Sequence, residues 1–134
     1  MSQNHKILQL KKITKIFSRG TIDEVTALDS IDLDVNPSDY ITIIGSNGAG
    51  KTTLLNVVGG NFPPERGGKV IIDGKDVTNL SEYKHAAYIG RVFQDPNVGT
   101  AAEMTIEENM AMAELRGYRR GLRATRNEQR RELF

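Results

Sequence analysis

One run of eight residues combines glycines, a lysine and a threonine in the spacing G-x-x-x-x-G-K-[ST]: Gly45-Ser46-Asn47-Gly48-Ala49-Gly50-Lys51-Thr52. Phosphate oxygens need many donors at short range, and successive backbone N–H groups of a tight loop supply them. Glycines allow left-handed backbone there and leave no Cβ between the loop and the phosphate. A lysine at this position reaches the β and γ phosphates, and the hydroxyl after it is a ligand for Mg²⁺. The run therefore predicts a site for a nucleoside triphosphate with Mg²⁺.

Such a loop needs a strand before it and a helix after it. Residues 40–44 are apolar almost throughout, which is typical of a central strand that is covered on both faces. Residues 51–58 predict a helix with Leu54, Leu55 and Val58 as its apolar stripe, ended by two glycines. The N-terminus of this helix would direct free N–H groups and a partial positive charge at the phosphates.

The rest of the chain predicts further strands and one more helix. In residues 28–35, Ile31, Leu33 and Val35 alternate with polar residues, which favours a half-buried antiparallel strand. Thr105 and Glu108 have the spacing of a capping box, which predicts the start of a helix. Other strands are predicted at residues 6–13, 70–72 and 88–93.

Composition limits the classes of function that the chain can have. Its 134 residues suffice for one domain, and the absence of cysteine excludes disulfides, thiolate metal sites and cysteine nucleophiles. No apolar run approaches the roughly 18 residues of a membrane-spanning helix, and the first residues do not resemble a signal peptide. We therefore expect a soluble chain that acts at a membrane only through a partner.

Six segments, in this order and spacing, resemble the nucleotide-binding domain of ABC ATPases along essentially the whole chain. They are residues 13–17 (ITKIF), 27–28 (AL), 45–55 (GSNGAGKTTLL), 68–74 (GKVIIDG), 92–96 (VFQDP) and 104–109 (MTIEEN). The resemblance implies an α/β P-loop NTPase fold with a parallel core, an antiparallel β subdomain and the start of a helical subdomain. It implies one partial domain over residues 1–134, with the β subdomain and P-loop core at about 1–94 and the helical subdomain from about 95.

The resemblance also implies roles for single residues, with ATP and Mg²⁺ as cofactors. Phe17 would stack on adenine, and Val25 would lie beside the base or the ribose. Gln94 would reach Mg²⁺ and the attacking water, so that Lys51 and Gln94 are the implied catalytic residues and Thr52 and Gln94 the implied metal contacts. The implied nucleotide contacts are Phe17, Val25, Ser46, Asn47, Gly48, Ala49, Gly50, Lys51, Thr52 and Thr53.

The resemblance further implies a setting for the chain. It would couple ATP binding and hydrolysis to transport, acting on a transmembrane permease subunit and pairing with a second ATPase subunit, in the cytoplasm at the inner face of the cell membrane. The family completes hydrolysis with a strand ending in Asp-Glu and a Ser-Gly-Gly-Gln-type signature, and neither occurs after Gln94. We therefore expect these residues to bind Mg-ATP weakly and to turn it over slowly or not at all.

Three other residues invite a functional interpretation that their context disfavours. Asp73 ends an apolar segment like a Mg²⁺ ligand, but Gly74 after it favours a hairpin turn. Asp95 precedes a proline, which also indicates a turn, and His85 lies in a polar stretch and is expected to be solvated. Residues 116–134 contain seven arginines and two glutamates, for which we favour a solvated helix face over a nucleic-acid surface.

Three alternative functions stay open on the sequence alone. An ABC ATPase without a transport role would act on DNA or ribosomes. A stand-alone P-loop kinase or GTPase would use Asp73 for Mg²⁺. A chain that binds no nucleotide would be structural or regulatory, with the phosphate loop left from its origin.

Overall fold

The computed structural model describes residues 5–115, and its contacts divide the chain into two compact units, residues 1–85 and 86–134. The arginine-rich segment 116–134 and its predicted solvated helix face lie outside the described residues. The predicted boundary of a helical subdomain near residue 95 stays a prediction.

The first unit contains a four-stranded antiparallel sheet in the order β2-β1-β3-β4. Its strands are β1 (Leu8–Phe17), β2 (Val25–Val35), β3 (Lys69–Ile72) and β4 (Lys75–Asp76). The predicted strands at residues 6–13, 28–35 and 70–72 are therefore confirmed. β1 and β2 are longer than predicted because their pairing continues through bulges near Lys12 and Ser30, both of which have positive φ.

The core of the first unit is built around β1, the strand between β2 and β3. Leu10 pairs with Leu33 on β2 and with Val70 on β3, and both Leu10 and Val70 are almost fully buried. The buried apolar residues of this unit are Leu10, Ile13, Leu28, Val57, Val70, Ile72 and Val77. Burial of one face explains why apolar and acidic residues alternate along β2.

The predicted central strand at residues 40–44 is not formed. These residues have no strand pairing among the described residues, and Tyr40 and Ile44 are 94% and 89% exposed. An apolar strand needs neighbours on both sides for its backbone groups and cover on both faces. The described part of the chain supplies neither, so the prediction of a covered strand is wrong for this structure.

His85 is buried, whereas the sequence predicted a solvated side chain. It ends the short helix α2 (Glu82–His85), is 1% exposed, and has its Nε2 2.7 Å from Val77 O and its Nδ1 3.3 Å from Val58 O. Gly60 has φ 81°, and a Cβ there would lie 2.5 Å from His85 Cγ. The prediction failed because segments distant in sequence, not the polar neighbours of His85, decide its burial.

The second unit contains a 3-10 helix (Pro96–Gly99) and the helix α3 (Ile106–Glu114). The capping box of α3 is confirmed: Thr105 Oγ1 accepts from Glu108 N, and Glu108 Oε2 accepts from Thr105 N at 2.9 Å. The predicted strand at residues 88–93 is not formed, and Val92 is 97% exposed. As at residues 40–44, an apolar run alone does not make a strand without a partner.

A pH titration can test the contact that fixes the start of β1 against β2. The ammonium of Lys6 donates to Asp34 Oδ2, and Gln9 Nε2 donates to Asp34 Oδ1 at 3.2 Å. These hydrogen bonds, chiefly that of Lys6, hold the pKa of Asp34 below its ordinary value of 3.8. The carboxylate therefore stabilises the fold above about pH 4, and this contribution is lost as the pH falls through the lowered pKa.

We expect Lys6→Met to raise the pKa of Asp34 towards 3.8, as measured by NMR titration of its carboxyl carbon. Gln9→Leu should raise it less, because the Lys6 hydrogen bond is the larger cause. If the titration midpoint of Asp34 were the same in Lys6→Met as in the parent, the pair of Lys6 and Asp34 would not be formed in solution.

Candidate functional site

The glycine-rich loop leads directly into α1 (Lys51–Val58), as predicted. Gly50 caps the helix with φ 82° and ψ 0°, and Gly48 also has φ 82°. Both values lie in the left-handed region that residues with a Cβ adopt at a cost. A Cβ at Gly50 would also lie 2.3 Å from Ala27 O, so the loop packs directly on the backbone of β2.

The N-terminus of α1 presents hydrogen-bond donors. No side chain among the described residues caps it, and its first turn contains no acidic residue. The first N–H groups of a helix have no partner within the helix, so they can donate to an anion placed at this end. The partial positive charge of the helix favours the same anion.

Lys51 lies folded over the loop. Its Nζ donates to Gly45 O and to Ser46 O, each at 2.7 Å. Both acceptors are neutral carbonyl oxygens, so a triphosphate oxygen with its negative charge is the stronger partner for this ammonium. The lysine thus lies at the loop in which the sequence predicted it to bind phosphate.

The side chains around the loop fit a Mg²⁺ ion that completes its coordination with phosphate. Thr52 is exposed in the first turn of α1, directly after Lys51. Within residues 5–115, no group of three or more His, Asp or Glu side chains could hold a metal ion. Mg²⁺ commonly takes only one or two protein ligands together with substrate phosphates and water, and Thr52 fits that pattern.

The predicted base-binding residues lie together at one end of the sheet. Phe17 is the last residue of β1, is half-buried, and pairs with Val25, the first residue of β2. Val25 is 56% exposed and precedes Ala27 by two residues, about 7 Å along a strand. Since Ala27 O lies against Gly50, the Phe17–Val25 pair and the phosphate loop lie at the same part of the unit.

The other predicted contacts lie along the loop and the first turn of α1. Ala49 N donates to Ser46 O at 3.2 Å, which closes the loop into a turn around Asn47 and Gly48. Thr53 is half-buried, while Ser46, Asn47 and Ala49 are exposed to a ligand. The apolar stripe of α1 differs from the prediction: Val57 is its buried residue, and Leu55 is exposed. The reason is that Leu54, Val57 and Val58 have the i, i+3, i+4 spacing of one helix face, and Leu55 falls beside it.

Gln94 belongs to the second unit. It is exposed in a bend, immediately before Asp95. Asp95 caps the 3-10 helix, with its Oδ1 accepting from Asn97 N at 2.9 Å. The carboxylate of Asp95 is thus used in a turn, as its sequence context indicated.

Asp73 lies in the hairpin turn between β3 and β4, also as its context indicated. Its φ is 50° and that of Gly74 is 74°, the left-handed pair of a type I′ turn. His5 Nε2 lies 2.9 Å from Asp73 Oδ1 at the surface. This arrangement explains Asp73 as a turn residue without a metal ion.

Two neighbours of the site escaped the sequence interpretation. The carbonyl of Ala27 packs on Gly50, and the ring of Phe62 lies against that of Phe17. The approach of Ala27 depends on backbone packing, for which residue types give no signal. Phe62 could have been noticed as an aromatic residue four positions beyond the end of the phosphate-loop helix.

Comparison with known proteins agrees with this combination of loop, helix and sheet. A family model described as ABC transporter matches residues 28–133. A tyrosine transport ATP-binding protein of Clostridioides difficile (strain R20291) is 39% identical over 107 residues, which cover 80% of this chain and 42% of that protein. The lipoprotein-releasing system ATP-binding protein LolD 2 of Chlorobaculum tepidum is 36% identical over 124 residues, which cover 86% of this chain and 49% of that protein.

A solved structure also matches, that of an ATP-binding cassette in a dimeric post-hydrolysis state bound to ADP and Pi. It is 29% identical with a TM-score of 0.71, and the match covers 93% of this chain and 53% of that one. The fold is thus that of a P-loop NTPase with an antiparallel β subdomain. The chain belongs to the ABC transporter family of ATP-binding proteins, whose members bind and hydrolyse ATP.

The chain spans less than half the length of these two relatives. In the part of it that the structure describes, no helix has both the length and the apolar character needed to cross a bilayer.

Proposed function

We propose that this chain binds Mg-ATP as the ATP-binding subunit of an ABC transporter and that, with the remaining parts of such a subunit, it couples ATP hydrolysis to transport. The observation that carries the proposal is the uncapped N-terminus of α1, reached through two left-handed glycines and flanked by Lys51. Family membership supports it.

Each part of the site has a distinct task in this proposal. The N–H groups of the loop and of the first turn of α1 donate to the phosphate oxygens, from Ser46 to Thr53. The ammonium of Lys51 leaves Gly45 O and Ser46 O and pairs with the β and γ phosphates. Phe17 stacks on adenine, and Val25 covers the base or the ribose.

The Thr52 hydroxyl would hold Mg²⁺ together with phosphate oxygens, and the bound ion would supply positive charge against that of the phosphates. Gln94 would contribute an amide oxygen towards the metal and the attacking water, as the family resemblance implies. Residues 1–134 supply the phosphate-binding part of the site. Because no Asp-Glu strand end and no Gly-Gly-Gln follow Gln94, we propose that these residues alone turn ATP over slowly or not at all.

The partners are proposed from the relatives. The names of the two relatives refer to tyrosine transport and to lipoprotein release, and the solved cassette is described as dimeric. We propose a second ATPase subunit and a membrane permease as partners, with this chain peripheral on the cytoplasmic side of the membrane. The transported substrate is then chosen by the permease.

The first experiment is a calorimetric titration of Mg-ATP into the chain and into Lys51→Ala. We expect the parent to bind and the variant to lose at least tenfold in affinity, because a charge-assisted contact to phosphate contributes about 1.5–3 kcal/mol. Lys11→Ala is the matched control, since it removes the same charge from an exposed residue of β1. Equal affinities for Lys51→Ala and the parent would contradict the proposal.

The same titration separates the alternative functions. Preference for Mg-GTP, or transfer of phosphate to an added acceptor, would favour a GTPase or a kinase. Binding of neither nucleotide would favour a structural or regulatory role. Co-purification of the full-length protein with a membrane permease would support the transport role over one on DNA or ribosomes.

A further inference from the structure

The ring of Phe17 is held by a second aromatic ring and by a cation. The ring centroids of Phe17 and Phe62 are 5.6 Å apart and their planes meet at 81°, an edge-to-face arrangement that aromatic pairs favour. Lys15 Nζ lies 5.7 Å from the centroid of Phe17 and 6.0 Å from that of Phe62, within the range of a cation–π contact. These neighbours fix the orientation of a ring that would otherwise rotate at the end of a strand.

The segment that carries Phe62 is itself fixed to β1. Lys15 Nζ donates to Pro63 O at 3.0 Å, and Glu65 N donates to Thr14 O at 2.8 Å. Glu65 is further held through Oε2, which accepts from Arg19 Nη1 at 3.3 Å. The segment that contains Phe62 is therefore held against β1 by hydrogen bonds.

The segment of Phe62 also connects the phosphate-binding helix α1 to the proposed base position at Phe17. Phe62 lies four residues beyond Val58, the end of α1, and Asn61 N before it donates to Asn56 O of the helix at 2.9 Å. α1 begins at the phosphate loop, and Phe17 lies at the proposed base position. One short segment thus links the phosphate-binding helix to the ring that would receive the base.

We propose that Phe62, together with Lys15, is a positioning residue for the adenine base: it holds the Phe17 ring in the orientation that stacks. This inference rests on the proposed function of Phe17. A ring that is already oriented loses less conformational freedom when the base binds, so Phe62 strengthens binding without touching the nucleotide. We expect it to act on the base alone, because its ring contacts Phe17 and Lys15, neither of which belongs to the phosphate loop.

The test compares two ligands, Mg-ATP and inorganic tripolyphosphate with Mg²⁺, by calorimetry on the whole chain. Phe62→Leu keeps an apolar side chain but removes the ring, and Phe62→Tyr keeps the ring. We expect Phe62→Leu to bind ATP about 3- to 10-fold more weakly and tripolyphosphate with unchanged affinity. Phe62→Tyr should match the parent for both ligands.

A Phe17→Ala variant tests whether Phe62 acts through the orientation of the Phe17 ring. It should itself weaken ATP binding, and adding Phe62→Leu to it should produce no further loss, because the ring to be oriented is gone. Equal weakening of ATP and tripolyphosphate by Phe62→Leu would show a general structural role and overturn the inference. ATP affinity that falls in Phe17→Ala but not in Phe62→Leu would overturn it as well, while leaving the proposed function intact. A parent chain that binds no ATP would instead contradict the proposed function.

Discussion

Replacing Gly50 with alanine is expected to abolish measurable Mg-ATP binding and to lower the free energy of unfolding by more than about 2 kcal/mol. The left-handed φ of 82° accounts for about 1–2 kcal/mol of this loss. The new Cβ would also lie 2.3 Å from Ala27 O, a backbone atom that cannot rotate away. Either the phosphate loop or β2 must move, and the backbone N–H groups of the loop then no longer point at the phosphate oxygens.

Gly48 provides the matched control, because it has the same φ but no atom within 4 Å of a Cβ placed there. Gly48→Ala should therefore cost only the backbone strain, about 1–2 kcal/mol. Urea unfolding followed by circular dichroism measures both variants, and calorimetry measures their affinity for Mg-ATP. If the two variants lost the same stability, the contact between Gly50 and Ala27 would not exist in solution.

Truncating Leu10 to alanine is expected to be the most destabilising change in the sheet, at about 2–5 kcal/mol. Leu10 is 1% exposed and lies in the middle of the sheet, paired with Leu33 on one side and Val70 on the other. Removing its three carbon atoms leaves a cavity that neighbours on two strands cannot both fill.

Leu55→Ala serves as the comparison for Leu10→Ala, because it makes the same truncation at a residue that is 55% exposed on α1. We expect a loss below about 1 kcal/mol there. Urea unfolding of both variants, with the midpoint and the slope of each transition, gives the two losses in the free energy of unfolding. A loss for Leu10→Ala no greater than that for Leu55→Ala would mean that the sheet core is not packed as described.

The sequence predicted best those elements whose signals are local. α1 has the predicted bounds, because a phosphate-loop pattern, an apolar stripe and two closing glycines all lie within a few residues of it. The start of α3 follows from Thr105 and Glu108, which cap one helix turn. The hairpin at Asp73 and Gly74 is likewise a property of two adjacent residues.

The predictions that failed depended on distant segments. Residues 40–44 have the composition of a covered strand, but whether cover exists is decided elsewhere in the chain. His85 lies among polar residues and is buried all the same, because Val58 and Val77 supply carbonyl oxygens next to its ring. In the candidate site, the phosphate loop could be predicted from spacing alone, whereas the contact of Phe62 with Phe17 could not.

The exposed segment 40–44 has a consequence for the behaviour of this chain in a cell. Its five residues, Tyr40-Ile41-Thr42-Ile43-Ile44, carry no charge and no proline, and they have high β propensity. An exposed apolar run of this kind can pair with a copy of itself and so start aggregation. We therefore expect the exposed segment to promote self-association of this chain. The yield of soluble protein should then fall as the protein concentration rises, because pairing between copies is a concentration-dependent step.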